Sequence, residues 1–139
     1  MKIELAESDD EIRMAFDAMR HLRNLPNPQA FLDRVRQLQQ DGYLLATLRD
    51  GGNVVAVAGF RIAEKLAWGR HLYVDDLVTA PASRSKGNGK ALLSWLCDYA
   101  RSRECTQLHL DSGVQRLDTH RFYRREGLEA ASVHFKKEL

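Results

Sequence analysis

The sequence has 139 residues, 44% of them apolar and 29% charged, the balance of a globular domain rather than a disordered chain. Twenty-one basic side chains against nineteen acidic ones leave a net charge of +2, too little to argue for a nucleic-acid partner. No apolar run approaches the ~20 residues of a membrane span, and the first residues lack a signal peptide's apolar stretch, so the expected location is cytoplasmic, without a membrane partner.

Residues 1–139 read as one domain with no repeat, low-complexity stretch or linker. Ile3 to Leu5 forms a short first strand. Ser8 and Glu11 then have capping-box spacing, and Ile12, Ala15, Phe16 and Met19 follow on one helical face. Asn24 to Pro28 interrupts that helix. Asn27 caps the next one with Pro28 at its first position, and Phe31, Leu32, Val35 and Leu38 supply its buried face. Tyr43 to Arg49 and Val54 to Ile62 are strands joined at Asp50-Gly51-Gly52-Asn53, a hairpin turn whose glycines accept positive φ. Leu72 to Thr79 is a further strand, closed by Ala80-Pro81. A glycine-rich loop opens into a helix bearing Leu92, Trp95, Leu96 and Tyr99 on one face. Gln107 to Asp111 is the next strand, and Asp118 to Glu126 the last helix, ended by Gly127. Ala131, Val133 and Phe135 alternate with polar residues, the period of a final half-buried strand over Ala131 to Lys137. The order predicts an α/β chain with a mixed sheet flanked by helices.

Cys97 and Cys105 stand apart from any metal-ligand spacing and read as two reduced thiols; the five histidines form no ligand pair, so no metal is expected. The chemistry concentrates in Arg84-Ser85-Lys86-Gly87-Asn88-Gly89-Lys90, between a strand and a helix. Glycine lets the backbone approach a ligand closely, and the helix behind it adds a positive dipole end, so the turn suits a phosphate. Arg84 and Ala91 stand where a Walker A loop needs Gly and Ser or Thr, and Leu92 stands where a dinucleotide fingerprint needs Gly.

Arg84, Gly87 and Gly89 do fit the pattern Gln/Arg-x-x-Gly-x-Gly/Ala, the acyl-CoA pyrophosphate loop of the GNAT acetyltransferases. The strand Leu72-Tyr73-Val74-Asp75-Asp76-Leu77-Val78-Thr79 before Pro81 resembles that family too, as does Thr119-His120-Arg121-Phe122-Tyr123-Arg124-Arg125-Glu126-Gly127-Leu128 after the loop. The specific resemblance covers about Tyr73 to Leu128; the first seventy residues match in layout. It implies a mostly antiparallel twisted sheet of six to seven strands, with a splayed parallel pair in the middle and about four helices.

The resemblance further implies acetyl-CoA as co-substrate, without a metal. Pantetheine would pair with the backbone of Leu77, Val78 and Thr79. The pyrophosphate would lie on the loop of Arg84, Ser85, Lys86, Gly87, Asn88, Gly89 and Lys90. Arg116, Arg121, Arg124 and Arg125 form a second basic cluster. The reaction is direct attack of a neutral amine, carried by a small molecule or a peptide, on the thioester in a ternary complex, which calls for a base, an oxyanion donor near Val78 and an acid for the thiolate. Tyr123 matches the family's acid, and Asp75 and Asp76 stand level as base candidates. As strand neighbours the two should point to opposite faces unless a bulge intervenes. Arg20, His21 and Arg23 lie where this fold meets its acceptor, and family habit suggests a homodimer. The rival readings are a catalytically silent acyl-CoA-binding domain and a nucleic-acid-binding module; near-neutral charge opposes the second.

Overall fold

The computed structural model describes residues 1–139, in two compact units, 1–109 and 110–139. The first begins with strand β1 (Lys2–Leu5), helix α1 (Asp9–Met19) and helix α2 (Pro28–Gln39). In α1 the expected capping box is complete: Ser8 accepts from the Glu11 N–H at 3.1 Å and the Glu11 carboxylate accepts from the Ser8 N–H at 2.9 Å. In α2 the Asn27 side chain accepts from the Ala30 N–H at 2.8 Å, with Pro28 at the first position.

Strands β2 (Leu44–Asp50), β3 (Asn53–Lys65) and β4 (Gly69–Thr79) form a meander, followed by a 3-10 turn (Pro81–Ser83), helix α3 (Asn88–Ser102) and strand β5 (Gln107–Leu110). The sheet has five strands in the order β1-β2-β3-β4-β5, rather than the six to seven expected. The pairings from β1 to β4 are all antiparallel. From β4 the chain crosses through α3 to reach β5, its sheet neighbour, the connection that parallel strands require.

Each sheet face has its own cover. Val57, Leu45 and Tyr43 join Ile12, Phe16, Met19, Phe31 and Val35 of the two first helices in one apolar core. Phe60 sets its ring edge-on to Trp95 and Tyr99 of α3, with centroids 6.3 and 5.4 Å away.

Helix α3 closes with a Schellman arrangement: the Glu104 N–H donates to the Arg101 carbonyl at 3.0 Å and the Cys105 N–H to the Ala100 carbonyl at 2.9 Å. Its pivot is Glu104 at φ +64°, a conformation that favours glycine. Glu104→Gly is therefore expected to stabilise the protein, by about 0.5–1 kcal/mol once glycine's greater unfolded-state freedom is set against the relieved strain. Urea denaturation at neutral pH measures it.

The second unit holds helix α4 (Leu117–Arg125). It ends as expected on Gly127, φ +91°, with the Leu128 N–H bonded to the Tyr123 carbonyl at 3.0 Å. The expected final strand is not formed: residues 129–139 carry no strand, and Val133 and Phe135 are exposed. Alternation makes a segment able to pair but supplies no partner ladder, and a strand exists only with one.

Candidate active site

The loop after β4 is built from backbone. Ser85 and Gly87 both take left-handed conformations, φ +62° and +81°, in the alternation that shapes concave anion nests. Gly87 is the N-cap of α3 and brings no side chain to cap it, whereas α1 and α2 have their first-turn N–H groups met by Ser8 and Asn27. The orphan donors of α3, with the helix's positive end behind them, are left for an external acceptor. The side chains of two of the expected ligand residues also brace the loop. Arg84 Nε donates to the Thr79 carbonyl at 3.2 Å, and the buried Asn88 gives its side-chain N–H to the Ser83 carbonyl at 2.9 Å. Lys86 and Lys90 are exposed and supply the charge, and Gly89 lies in the first turn.

Leu77, Val78 and Thr79 pair on one edge with Ala58, Val57 and Ala56 of β3. On the other edge the ladder to β5 starts beside Arg70, whose carbonyl accepts from the Thr106 N–H at 3.0 Å. Four residues of β5 span about 13 Å, and Leu77 lies about 23 Å further along β4 from Arg70, so the ladder ends well short of it.

The two aspartates are brought together by an irregularity. Across from β4, Gly59 pairs with Asp76 and Phe60 with Val74, so Asp75 has no opposite number and forms a β-bulge. The bulge cancels the alternation that would send the two carboxylates to opposite faces. The Tyr43 hydroxyl donates to Asp76 Oδ2 at 2.9 Å, and Arg23 Nε donates to Asp76 Oδ1 at 2.7 Å. Arg61 Nε donates to Asp75 Oδ2 at 2.7 Å while its guanidinium stands over the Tyr43 ring, 5.6 Å from the centroid. Arg23 also donates to the Asp75 carbonyl at 3.1 Å, tying the α1–α2 loop to the bulge. Bonding to Asp75 raises the already high Arg61 pKa, so that cation is permanent.

Burial, with the Asp76 charge adding to it, pushes the Tyr43 phenol far above its ordinary 10. The folded chain therefore keeps a proton that the unfolded chain releases near pH 10, and stability must fall as pH rises beyond that point. The slope from this group alone is about 1.4 kcal/mol per pH unit. That slope is reached only above the unfolded pKa, so denaturant titrations between pH 9 and 11 should find the total fall in stability about 1.4 kcal/mol smaller in Tyr43→Phe.

Tyr123 lies on α4 in the second unit, half-buried, with its ring 5.3 Å from that of Phe122. Burial raises its pKa, against a smaller opposing effect from Arg116, so the phenol remains an O–H donor at neutral pH. In the basic cluster beside it Arg121 is paired with Asp118, and Arg125 stands over the Phe122 ring. Burial likewise raises both thiols, Cys97 and Cys105, which keeps them protonated and poorly nucleophilic.

A sequence profile of the Acetyltransferase (GNAT) family matches residues 11–128. The chain belongs to the GNAT acetyltransferase family. An uncharacterized N-acetyltransferase of Bacillus subtilis, YhdJ, is 34% identical over 132 residues, covering 94% of this chain and 93% of that protein. Glucosamine 6-phosphate N-acetyltransferase of Trypanosoma brucei brucei is 32% identical over 90 residues, 63% of this chain and 59% of the relative. Among solved structures, AAC(6')-Iy in complex with the bisubstrate analogue CoA-S-monomethyl-acetylneamine aligns with a TM-score of 0.80 at 13% identity, covering 99% of this chain and 98% of that one. The resemblance read from the loop and its flanks is thereby established, and with it the enzyme class: this GNAT protein is an N-acetyltransferase.

Within the GNAT frame, Tyr43, Gly59 and Arg61 escaped the sequence reading. Tyr43 and Arg61 carry no local mark, since their partners lie 33 and 14 residues away. Gly59 did carry one: a lone glycine inside an apolar strand signals a bulge or a close approach.

Proposed function

We propose that this chain transfers an acetyl group from acetyl-CoA to a primary amine by direct attack in a ternary complex. The observation that carries the cofactor assignment is the uncapped start of α3 behind the left-handed residues Ser85 and Gly87, a set of backbone donors suited to a pyrophosphate. The AAC(6')-Iy complex, with its CoA-derived ligand, supports the same cofactor class. Pantetheine would add itself along Leu77, Val78 and Thr79 as an extra strand. Tyr123 would protonate the leaving thiolate, and the acid pair of Asp75 and Asp76 would take the ammonium proton. Two free thiols suit a reducing, cytoplasmic setting.

The acid pair by itself does not call for a polycation, because each carboxylate is already matched by a guanidinium, Arg61 for Asp75 and Arg23 for Asp76. Amino sugars and their phosphates therefore stand beside simple amines as acceptors, in line with the substrate named for the trypanosomal relative.

Isothermal titration calorimetry with acetyl-CoA tests the cofactor assignment. Gly87→Asp places a carboxylate at the start of α3, where it repels the phosphates, at a backbone strain of about 1–2 kcal/mol from the φ of +81°. Affinity should fall at least about 30-fold, or 2 kcal/mol, with the fold retained. An affinity equal to the wild type's would move the cofactor off this loop. Thiol release across an amine panel then separates a transferase from a silent acyl-CoA-binding domain.

A further inference from the structure

The two aspartates have unequal freedom. Both oxygens of Asp76 are engaged, Oδ1 by Arg23 and Oδ2 by Tyr43, and its side chain is 14% exposed. Asp75 gives only Oδ2 to Arg61; its Oδ1 accepts from no protein donor, and the side chain is 25% exposed. A general base must present a lone pair to the proton it removes, within about 3 Å. A carboxylate oxygen carries two lone pairs, so each Asp76 oxygen keeps one, its basicity drawn down by the donor it already serves, whereas Asp75 Oδ1 keeps both. Asp75 can accept the proton there with its existing bonds in place.

The surroundings explain how Asp75 comes to be presented. Its bulge is braced from three elements: Arg23 of the α1–α2 loop holds its carbonyl, Arg61 of β3 holds Oδ2, and Tyr43 before β2 holds the neighbouring Asp76. Tyr43 is almost fully buried, at 3% exposure, among the first two helices, so it is a fixed post rather than a flexible arm. Room for its hydroxyl exists because residue 59, directly across from Asp76, is glycine.

We propose that the two aspartates divide the work: Asp75 takes the acceptor's proton through Oδ1, while Asp76, clamped by Tyr43 and Arg23, is a positioning residue that fixes the bulge. Tyr43 and Arg23 are positioning residues acting through Asp76. The inference rests on the transferase reading above. In the reaction an ammonium gives one proton to Asp75 Oδ1, and the freed nitrogen lone pair forms a bond to the thioester carbon as the carbon–sulfur bond breaks. The nitrogen's second proton balances the one the thiolate acquires. Asp75 passes its proton to solvent, so each turnover releases one proton.

The experiment compares Asp75→Asn, Asp76→Asn and Tyr43→Phe in the full chain, using an amine found active with the wild type. The measurements are acetyl-CoA affinity, kcat and KM from pH 6 to 10, and the melting temperature. Asp75→Asn should lose about 10²–10⁴ in kcat/KM at pH 7, the range expected for a lost base. Its deficit should shrink about tenfold per pH unit as free amine becomes available, with acetyl-CoA affinity held and the melting temperature lowered by the weakened Arg61 bond. Asp76→Asn and Tyr43→Phe should melt lower and lose less than about tenfold, while keeping the wild-type profile shape. Tyr43→Phe keeps the buried ring, so it remains informative if Asp76→Asn folds poorly. The division is overturned if the pH-dependent deficit belongs to Asp76→Asn, or if Asp75→Asn keeps the wild-type profile. A wild type that binds acetyl-CoA yet turns over no amine defeats the transferase reading, and this inference with it.

Discussion

Gly59→Ala is expected to destabilise the protein by about 3–4 kcal/mol, combining an overpacked core of about 1–3 kcal/mol with a disrupted hydrogen bond to a carboxylate of about 1.5–3 kcal/mol. In an unobstructed strand the same change is favourable by about 0.5–1 kcal/mol, because alanine has less unfolded-state freedom to lose, so even the sign is diagnostic. A methyl group at position 59 would overlap the hydroxyl oxygen and Cζ of Tyr43 and lie 2.7 Å from Asp76 Oδ2. Neither neighbour can yield cheaply. Tyr43 is locked in the core among the first two helices, and Asp76 is held by Arg23. At this chain length the loss lowers the melting temperature by roughly 10 °C or more. Gly52→Ala is the matched control: a Cβ there meets nothing within 4 Å, and it should leave the melting temperature nearly unchanged. Combining Gly59→Ala with Tyr43→Phe removes the hydroxyl but not Cζ, so it should recover part of the loss. A neutral or stabilising Gly59→Ala would mean that Tyr43 does not stand against β3 in the folded protein.

The features that could be read in advance are those settled within a few residues. Ser8 and Glu11, Asn27 and Pro28, and Asp50 to Asn53 each complete their own hydrogen-bond or φ requirement locally, and all three appear where they were expected. Strands β3 and β4 are longer than their apolar patterns suggest. β3 runs on to Lys65 and β4 starts back at Gly69, where Lys65 pairs with Gly69 across an exposed turn. That extension carries no hydrophobic alternation because little of it is buried, so nothing in its letters announces it. The reverse error occurs at Ala131 to Lys137, where alternation exists without a strand to pair with. In the candidate site, the glycine turn between β4 and α3 was legible, but the bracing bonds of Arg84 and Asn88 were not, since their acceptors at Thr79 and Ser83 depend on how the loop turns. The orientation of the acid pair was out of reach for a similar reason. A bulge is a property of the register between two strands, and one strand's sequence does not contain it.

Tyr123→Phe should lower kcat by about 10²–10⁴, the span ascribed to a general acid, while the dissociation constant of acetyl-CoA stays within about twofold. The ring and its contact with Phe122 are retained, so a purely structural tyrosine would show no such split between kcat and affinity. Burial raises the phenol's pKa, and the acid form is the one the proposed role requires. Loss of the proton therefore cannot limit the wild type until above pH 10, and any decline in kcat below that point belongs to another group. The chemistry offers a second readout. A leaving thiol more acidic than that of CoA needs its proton less, so the deficit of the phenylalanine variant should narrow with acetyl thioesters of such thiols. A constant deficit across donors would assign Tyr123 to packing, and an undiminished kcat would remove it from the mechanism.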